Sequence, residues 1–436
     1  MRSDSRQFGF NLIGHASANA GLGVTLRNLA KTILDRGYPL AILDVDPGQG
    51  RTGHDLSLAP YFVTTAKDLP YGINISTLSI TSLPDFIFDH PELFTEETLN
   101  VGYFWWELST LPDQWIKSLE IFDVLLAGSD FLYAAYSQAV EDVFHVRIVH
   151  GLDLPPGIKA DRVRFNIEND AFVFICILEP TSDPDRKNPF SAIAAFQKAF
   201  SANEKARLII KINNSAAFAT DDENLERLRI AAESDPRIRL FTESLTYVDA
   251  LSLYASCDVF VALHRAEGLG LGPMEAMSIG KPVIATSWSG NMSFMDHTNS
   301  CLVRYKLIPV EGSLSVYKTN FLGRTANWAE PNIDDAAGWM KTLSASLSMC
   351  QQIGGAAKTA ISQHLNHAAT SKWLDEIRLI WERSKTTVPL KNEEKLQNKA
   401  SLKKRLLTIN MSPWGRIRHH FHGLLDRHLL WRFRKN

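Results

Sequence analysis

Two glutamates eight positions apart bracket the segment Glu267-Gly-Leu-Gly-Leu-Gly-Pro-Met-Glu275. Carboxylates accept hydrogen bonds, so each suits a ligand rich in hydroxyls. Between them, Gly268, Gly270 and Gly272, alternating with Leu269 and Leu271, let the backbone turn tightly and approach a ligand closely. Pro273 suits the first turn of a helix running to about Ile279. A helix start behind such a loop offers unpaired amides and the positive end of its dipole, and both attract phosphate. Glu275, expected in that first turn, is placed to accept from the vicinal hydroxyls of a ribose. Taken singly, a glutamate at a helix start compensates the dipole, and alternating glycines make a plain turn. Together they read as a sugar-nucleotide site.

A second charged element is Glu179-Pro-Thr-Ser-Asp-Pro-Asp-Arg-Lys-Asn-Pro189, which should set Arg186 and Lys187 at the mouth of a cleft just before a helix. Charge building on a leaving phosphate is stabilised by fixed cations and amides in a partly dry cleft. A solvated loop pair is the plain alternative. Nearer the start, Gly21, Leu22 and Gly23 repeat the strand, glycine loop, helix plan. Trp106 and Glu107 follow an apolar strand, where a carboxylate can hold acceptor hydroxyls and an indole can stack on a sugar. A tryptophan is more often a large core filler. His15 and His150 stay outside the catalytic set. No GxGxxG with a following acid occurs in the dinucleotide arrangement, so a nicotinamide enzyme is disfavoured. No DxD-like acidic pair calls for a metal, and no cofactor is implied.

These residues need strands and helices to hold them. Strand-like runs are expected at 8–14, 40–45, 72–79, 100–105, 124–127 and 146–149, with a helix from Val24 to Arg36 burying Leu26, Leu29, Ala30 and Ile33. Pro155-Pro156-Gly157 breaks the pattern. The plan then restarts, with strands at 171–178, 206–212, 238–242, 257–263 and 282–286 between helices at 188–201, 222–233, 248–256 and 273–279. Alternation of this kind predicts an α/β fold of two doubly wound sheets, with ligands beyond the carboxyl ends of the strands. The division expected is 1–155, 156–370, a crossing helix at 371–384 containing Trp373 to Trp381, and a tail from 385 to 436.

Glu-x7-Glu followed by Ala-Met-Ser-Ile-Gly-Lys-Pro-Val-Ile-Ala-Thr286 resembles the signature of retaining GT-B glycosyltransferases of the group 1, or family 4, type. Ala20-Gly-Leu-Gly23, Tyr103-Phe-Trp-Trp-Glu-Leu108 with Pro112 and Trp115, and Gly128-Ser-Asp-Phe131 extend the resemblance. Trp288-Ser-Gly-Asn-Met-Ser-Phe-Met295 and Trp328-Ala-Glu-Pro331 are similar to a subgroup from bacterial surface-polysaccharide clusters. The resemblance implies two Rossmann-like domains, an acceptor half followed by a donor half. It implies transfer of a hexosyl residue, mannosyl or glucosyl, from a nucleotide-diphosphate sugar to a glycan or lipid-linked glycan with retention. It gives Glu267 to the donor sugar, Glu275 to the ribose and Lys187 to phosphate. The Gly21–Gly23 loop approaches the diphosphate or acceptor, and Gly290 and Asn291 line the donor pocket, although Asn291 also reads as a turn residue. The family often has an arginine where this chain has Thr181, and Arg186 is the candidate replacement.

Composition agrees with a folded globular chain of 436 residues, 45% hydrophobic and 22% charged with a net charge of −2. Cys176, Cys257, Cys301 and Cys350 are far apart and form no CxxC pair, which argues against a disulfide framework or zinc knuckle. No run nears the ~20 apolar residues needed to span a bilayer, and the start lacks an apolar signal core, so a cytoplasmic protein is expected. Residues 385–436 carry thirteen Lys or Arg against three acids. Mixed with Leu, Phe and Trp, they suit an interfacial helix on an anionic membrane surface, or a basic helix packed on the acidic body. Nucleic acid is not an expected partner. A silent nucleotide-sugar-binding subunit and an epimerase on the same scaffold remain the alternatives.

Overall fold

A computed structural model describes residues 6–18, 20–46, 48, 55–179, 182–202, 204–213, 223–312, 315–317 and 325–385. Seven parallel strands form the first sheet: β1 (Gln7–Gly14), β2 (Leu40–Asp44), β3 (Phe62–Val63), β4 (Tyr71–Ser76), β5 (Leu99–Tyr103), β6 (Val124–Ala127) and β7 (Phe144–Arg147). Their order is β3-β2-β1-β4-β5-β6-β7. Winding therefore reverses between β1 and β4, which opens a crevice at their carboxyl ends. The second sheet repeats this with β8 (Phe172–Leu178), β9 (Ala206–Ile212), β10 (Ile238–Phe241), β11 (Val259–Ala262), β12 (Val283–Thr286) and β13 (Cys301–Val303). Its order, β10-β9-β8-β11-β12-β13, reverses between β8 and β11.

The inner strands are near-continuous apolar runs because helices cover both faces of each sheet. Phe10, Leu12, Leu26 and Ile33 lie in one core of the first sheet, and Ile13, Phe104, Leu125 and Leu132 in the other. Phe174, Phe196 and Leu208, then Val173, Met274 and Val283, do the same for the second sheet. All four cysteines are buried and unpaired.

Two later segments return to the first half. The helix His367–Lys385 buries Trp373, Leu374, Ile377 and Trp381 in the core with Phe10 and Ile73. Gly72 of β4 lies beneath it, where a Cβ would stand 2.6 Å from the Trp381 indole nitrogen. The antiparallel pair β14 (Tyr305–Pro309) and β15 (Asn327–Pro331) leaves the second sheet, and Val310, Tyr317 and Trp328 join the core beside Phe104 and Trp106.

Several expectations shift. The strand expected at 146–149 is Phe144–Arg147, because pairing with β6 rather than apolar character places this edge strand, whose Phe144 and Arg147 face solvent. The first helix begins at Gly21 rather than Val24, so Gly21, Leu22 and Gly23 form its first turn. Asn19, Thr181 and the basic tail from residue 386 onward lie outside the described residues. Among the described residues no helix is long and apolar enough to cross a membrane.

Candidate functional site

The loop after β11 is held by three glycines with different tasks. Gly270 takes φ +94°, the left-handed turn that starts the helix Leu271–Ser278. A Cβ on Gly272 would lie 3.0 Å from the Phe260 ring, so this glycine seats the helix on its strand. A Cβ on Gly268 would lie 3.2 Å from the Trp106 carbonyl, across the seam between the halves. Close approach therefore serves packing at Gly272 and contact between the halves at Gly268. Leu269 packs into the core, while Leu271 opens the helix. Because the helix begins two residues before Pro273, Glu275 falls in its second turn, and the first turn carries no acid. That corrects the expected placement and removes dipole compensation as its role.

A second loop clamps the first. Glu267 N donates to Ser289 Oγ at 2.8 Å, and Gly290 N donates to the Glu267 carbonyl at 2.9 Å. Ser289 itself has φ +78° and ψ −147°, a sparsely populated conformation costing on the order of 1–3 kcal/mol. A Cβ on Gly290 would meet the Gly268 carbonyl at 2.1 Å. Asn291, expected to line the donor pocket, is instead fully buried. Its Nδ2 donates to Thr286 O at 3.0 Å, and its Oδ1 lies 3.1 Å from His264 Nε2. That nitrogen also faces Trp288 O at 3.1 Å, so it carries the proton, and burial lowers the His264 pKa and keeps the ring neutral. Asn291 thus fixes the loop from within.

The charged groups converge beneath this frame. Asp183 caps the short helix Pro184–Lys187, accepting from Asp185 N at 2.8 Å and Arg186 N at 3.0 Å. Lys187 Nζ pairs with Glu267 Oε1 and keeps a quarter of its side chain exposed. Glu267 takes one of three ammonium protons, which leaves donors for a ligand. Burial alone would push the Glu267 carboxyl up, but the neighbouring Lys187 and Arg186 cations bring it down to about 2.

Arg186, expected at the mouth of the cleft, is only 3% exposed. Its guanidinium donates to Ala266 O at 2.7 Å and stands 3.5 Å from Glu267 Oε2 and 3.6 Å from Glu107 Oε1. Two carboxylates and a carbonyl already engage it, so its place is behind Glu267 rather than on a phosphate. Glu107 also accepts from the Tyr317 hydroxyl at 2.8 Å. Trp106, expected to be available to a sugar, is 2% exposed, stacked on Tyr317 at 5.4 Å and edge-on to Trp115 at 4.8 Å. Its ring has no face to offer in this conformation. Tyr317, on the connection between β14 and β15, was invisible to sequence reasoning because no periodic pattern or motif surrounds it.

Glu275 is also buried, at 6% exposure. Tyr247 Oη donates to its Oε1 at 2.9 Å, and Tyr254 gives a further hydrogen bond. Among the described residues no cation offsets the burial, which pushes the carboxyl up to about 7 despite both tyrosines. Tyr247 opens the helix Tyr247–Ser256 and interacts electrostatically with Arg27 of the first half. Arg27 ties down the turn before the first helix, donating to Ala16 O at 2.7 Å and Ala18 O at 3.1 Å. There a Cβ on Gly23 would meet Ala18 O at 2.2 Å, while Gly21 borders open space. Tyr247 thus binds Glu275 directly and lies within electrostatic range of Arg27.

The halves touch directly. Ser129 Oγ donates to Gly268 O at 2.7 Å, and Asp130 N donates to Ser293 Oγ at 3.0 Å. His15 Nδ1 bonds Val45 O at 2.7 Å, and His150 Nδ1 lies 2.9 Å from the Tyr103 hydroxyl with its pKa lowered by burial to about 4. Each ring is thus anchored through its Nδ1. Among the described residues no three His, Cys, Asp or Glu cluster to hold a metal.

The architecture, two Rossmann-like halves facing a cleft, is that of GT-B glycosyltransferases. It superposes with a TM-score of 0.64 on sucrose-phosphate synthase from Thermosynechococcus elongatus, at 12% identity over 86% of this chain and 100% of that one. Against Anabaena Alr3699/HepE in complex with UDP and glucose the TM-score is 0.58, at 16% identity over 86% of this chain and 100% of that one. Residues 183–309 match the family described as Glycosyl transferases group 1, a stretch that includes Arg186, Lys187, Glu267, Glu275 and Asn291. Over 133 residues, 30% of the chain, it is 29% identical to the serotype-specific mannosyltransferase WbdA of Escherichia coli. The chain spans about 15% of the length of that curated relative.

Proposed function

We propose that this chain is a retaining glycosyltransferase that moves a hexosyl residue from a nucleotide-diphosphate sugar to a glycan or lipid-linked glycan. The observation that carries the reading is the Lys187–Glu267 pair, backed by buried Arg186, beside the loop that leads to Glu275. Glu275 receives the ribose hydroxyls, with Tyr247 holding its place until they arrive. Lys187 and the amides of Gly268 to Gly272 and Gly21 to Gly23 take the diphosphate. Glu267, ionised at any working pH, orients the sugar hydroxyls and stabilises positive charge at the anomeric carbon.

The bond from the anomeric carbon to the phosphate oxygen breaks as the acceptor oxygen bonds to that carbon on the same face. The acceptor proton passes to the departing phosphate. Glu267 forms no covalent bond in this reading, because same-face displacement with the phosphate as proton acceptor requires no protein nucleophile. Matching to a mannosyltransferase supports a mannosyl donor, and the fold neighbour holding UDP and glucose supports a nucleotide sugar. The basic segment 385–436 suits attachment to an anionic membrane surface, where lipid-linked acceptors are found.

Thermal stabilisation by UDP, GDP, ADP and their sugars tests the reading. A ligand at ~100 times its dissociation constant adds about 2.7 kcal/mol. One base family should raise Tm, and Glu275→Ala should abolish the rise. Indifference to every nucleotide would overturn the proposal.

A further inference from the structure

At the seam of the two halves lies an open groove of about 390 Å³ whose lining does not include Lys187, Glu267 or Glu275. Its apolar surfaces are Phe131 from the first half and Trp288, Met292 and Tyr305 from the second. Phe131 meets Trp288 edge-on at 5.7 Å, and Trp288 lies 5.3 Å from Tyr305, so the rings line one trough. Met292 and Tyr305 are 39% and 36% exposed. Hydroxyls of Ser287, Ser289 and Ser293 and the Asp130 carboxylate rim these rings. The Trp288 Nε1 proton is buried with no hydrogen-bond partner. An indole N–H in that position normally has an acceptor, and leaving it bare costs about 1–3 kcal/mol.

We infer that this groove is a subsite for a neutral pyranose unit of the glycan acceptor, an assignment that rests on the transferase reading. A pyranose presents apolar C–H faces and a rim of hydroxyls, the pattern of the lining. A nucleotide or phosphate is disfavoured because, among the described residues, the only charged lining group, Asp130, is anionic. The nearby cation Arg147 pairs with that carboxylate at 3.1 Å and stacks over Tyr133 at 4.1 Å. Ser287 Oγ already donates to Val303 O and Ser289 Oγ to Trp288 O, so the rim offers a ligand mainly oxygen acceptors, which sugar hydroxyls match and an alkyl chain does not. Ser289 connects groove and donor site, since it lines the one and its Oγ accepts from Glu267 N in the other. A glycan seated here is thereby held beside the reacting carboxylate, and its length matters to transfer.

The test is a ligand-observed NMR titration of the full chain with mannotriose, maltotriose and cellotriose. Exposed Tyr305→Ala and Trp288→Phe, which shortens the aromatic wall between Phe131 and Tyr305, are compared with wild type. At least one triose should bind, each variant should weaken it about fivefold or more, and nucleotide thermal shifts should not change. No triose binding, equal binding by both variants, or binding of octyl glucoside in place of every triose would overturn the subsite. Nucleotide binding without triose binding removes the groove alone. Triose binding without nucleotide binding removes the transferase reading and keeps a carbohydrate site.

Discussion

Glu267 and Glu275 are both buried and sit eight residues apart on one loop and helix, yet their protons behave oppositely. Glu267 faces Lys187 and Arg186 and is held at about 2, whereas Glu275 faces two tyrosines and rises to about 7. Burial is common to both, so the neighbouring cations make the difference. In the proposed transferase reading, the charge that meets a developing cation is kept ionised, and the carboxylate that meets hydroxyls is left with neutral partners that a ligand can replace.

The strongest way to break this contrast is Arg186→Ala, which strands Glu267 and Glu107. Removing one member of a buried ionic cluster costs about 3–5 kcal/mol, to be read from denaturant melts. A wild-type melt would mean that Lys187 alone keeps Glu267 ionised. Lys187→Ala should leave the fold intact and lower transfer by roughly 10² to 10³, measured as nucleotide release with acceptor. Full activity there would remove the phosphate assignment.

Acidity sharpens the contrast next. An acid whose pKa rises on folding binds its proton more tightly when folded, so Glu275 lowers stability as pH climbs from its ordinary 4.5 to about 7. Glu275→Gln should therefore be more stable than wild type at pH 8 but not at pH 4. Ribose hydroxyls favour the ionised form, so nucleotide affinity of wild type should rise with pH up to about 7, by at most roughly tenfold per unit. A flat profile by calorimetry would place the ribose elsewhere. The smallest effect is Tyr247→Phe, which deletes one donor to Glu275 at a cost of about 1 kcal/mol. It should move the affinity profile to higher pH. A shift to lower pH would show that a cation, not burial, governs Glu275.

Much of this was legible in the sequence because it rests on local rules. Apolar runs marked β1, β8, β9 and β12, and the glycine pattern marked both helix starts. The Lys187–Glu267 contact was not visible as a contact, since eighty residues separate its members, but each was singled out for its chemistry. Arg186 was misplaced because adjacent residues on a short helix point to different sides, and Lys187 stays partly exposed while Arg186 enters the protein. Trp106 and Asn291 were misread because a polar atom or a ring does not reveal whether it faces solvent or core. The clamp of Ser289 and Gly290 on the 267–270 loop, and Tyr317 on its hairpin, depend on contacts distant in sequence that no periodicity records.

The helix His367–Lys385 covers a face of the first sheet, although the last strand of that sheet ends at Arg147. During synthesis the strands of the first half emerge long before Trp373 and Trp381, which complete their core. At ~5–20 residues per second, the roughly 230 intervening residues correspond to about ten to fifty seconds. Throughout that interval the nascent chain exposes the apolar side of β1 and β4 where Gly72 awaits Trp381. The strands of the second half are therefore made before this helix seals the first, and chains cut short before it would display a surface that chaperones and proteases recognise.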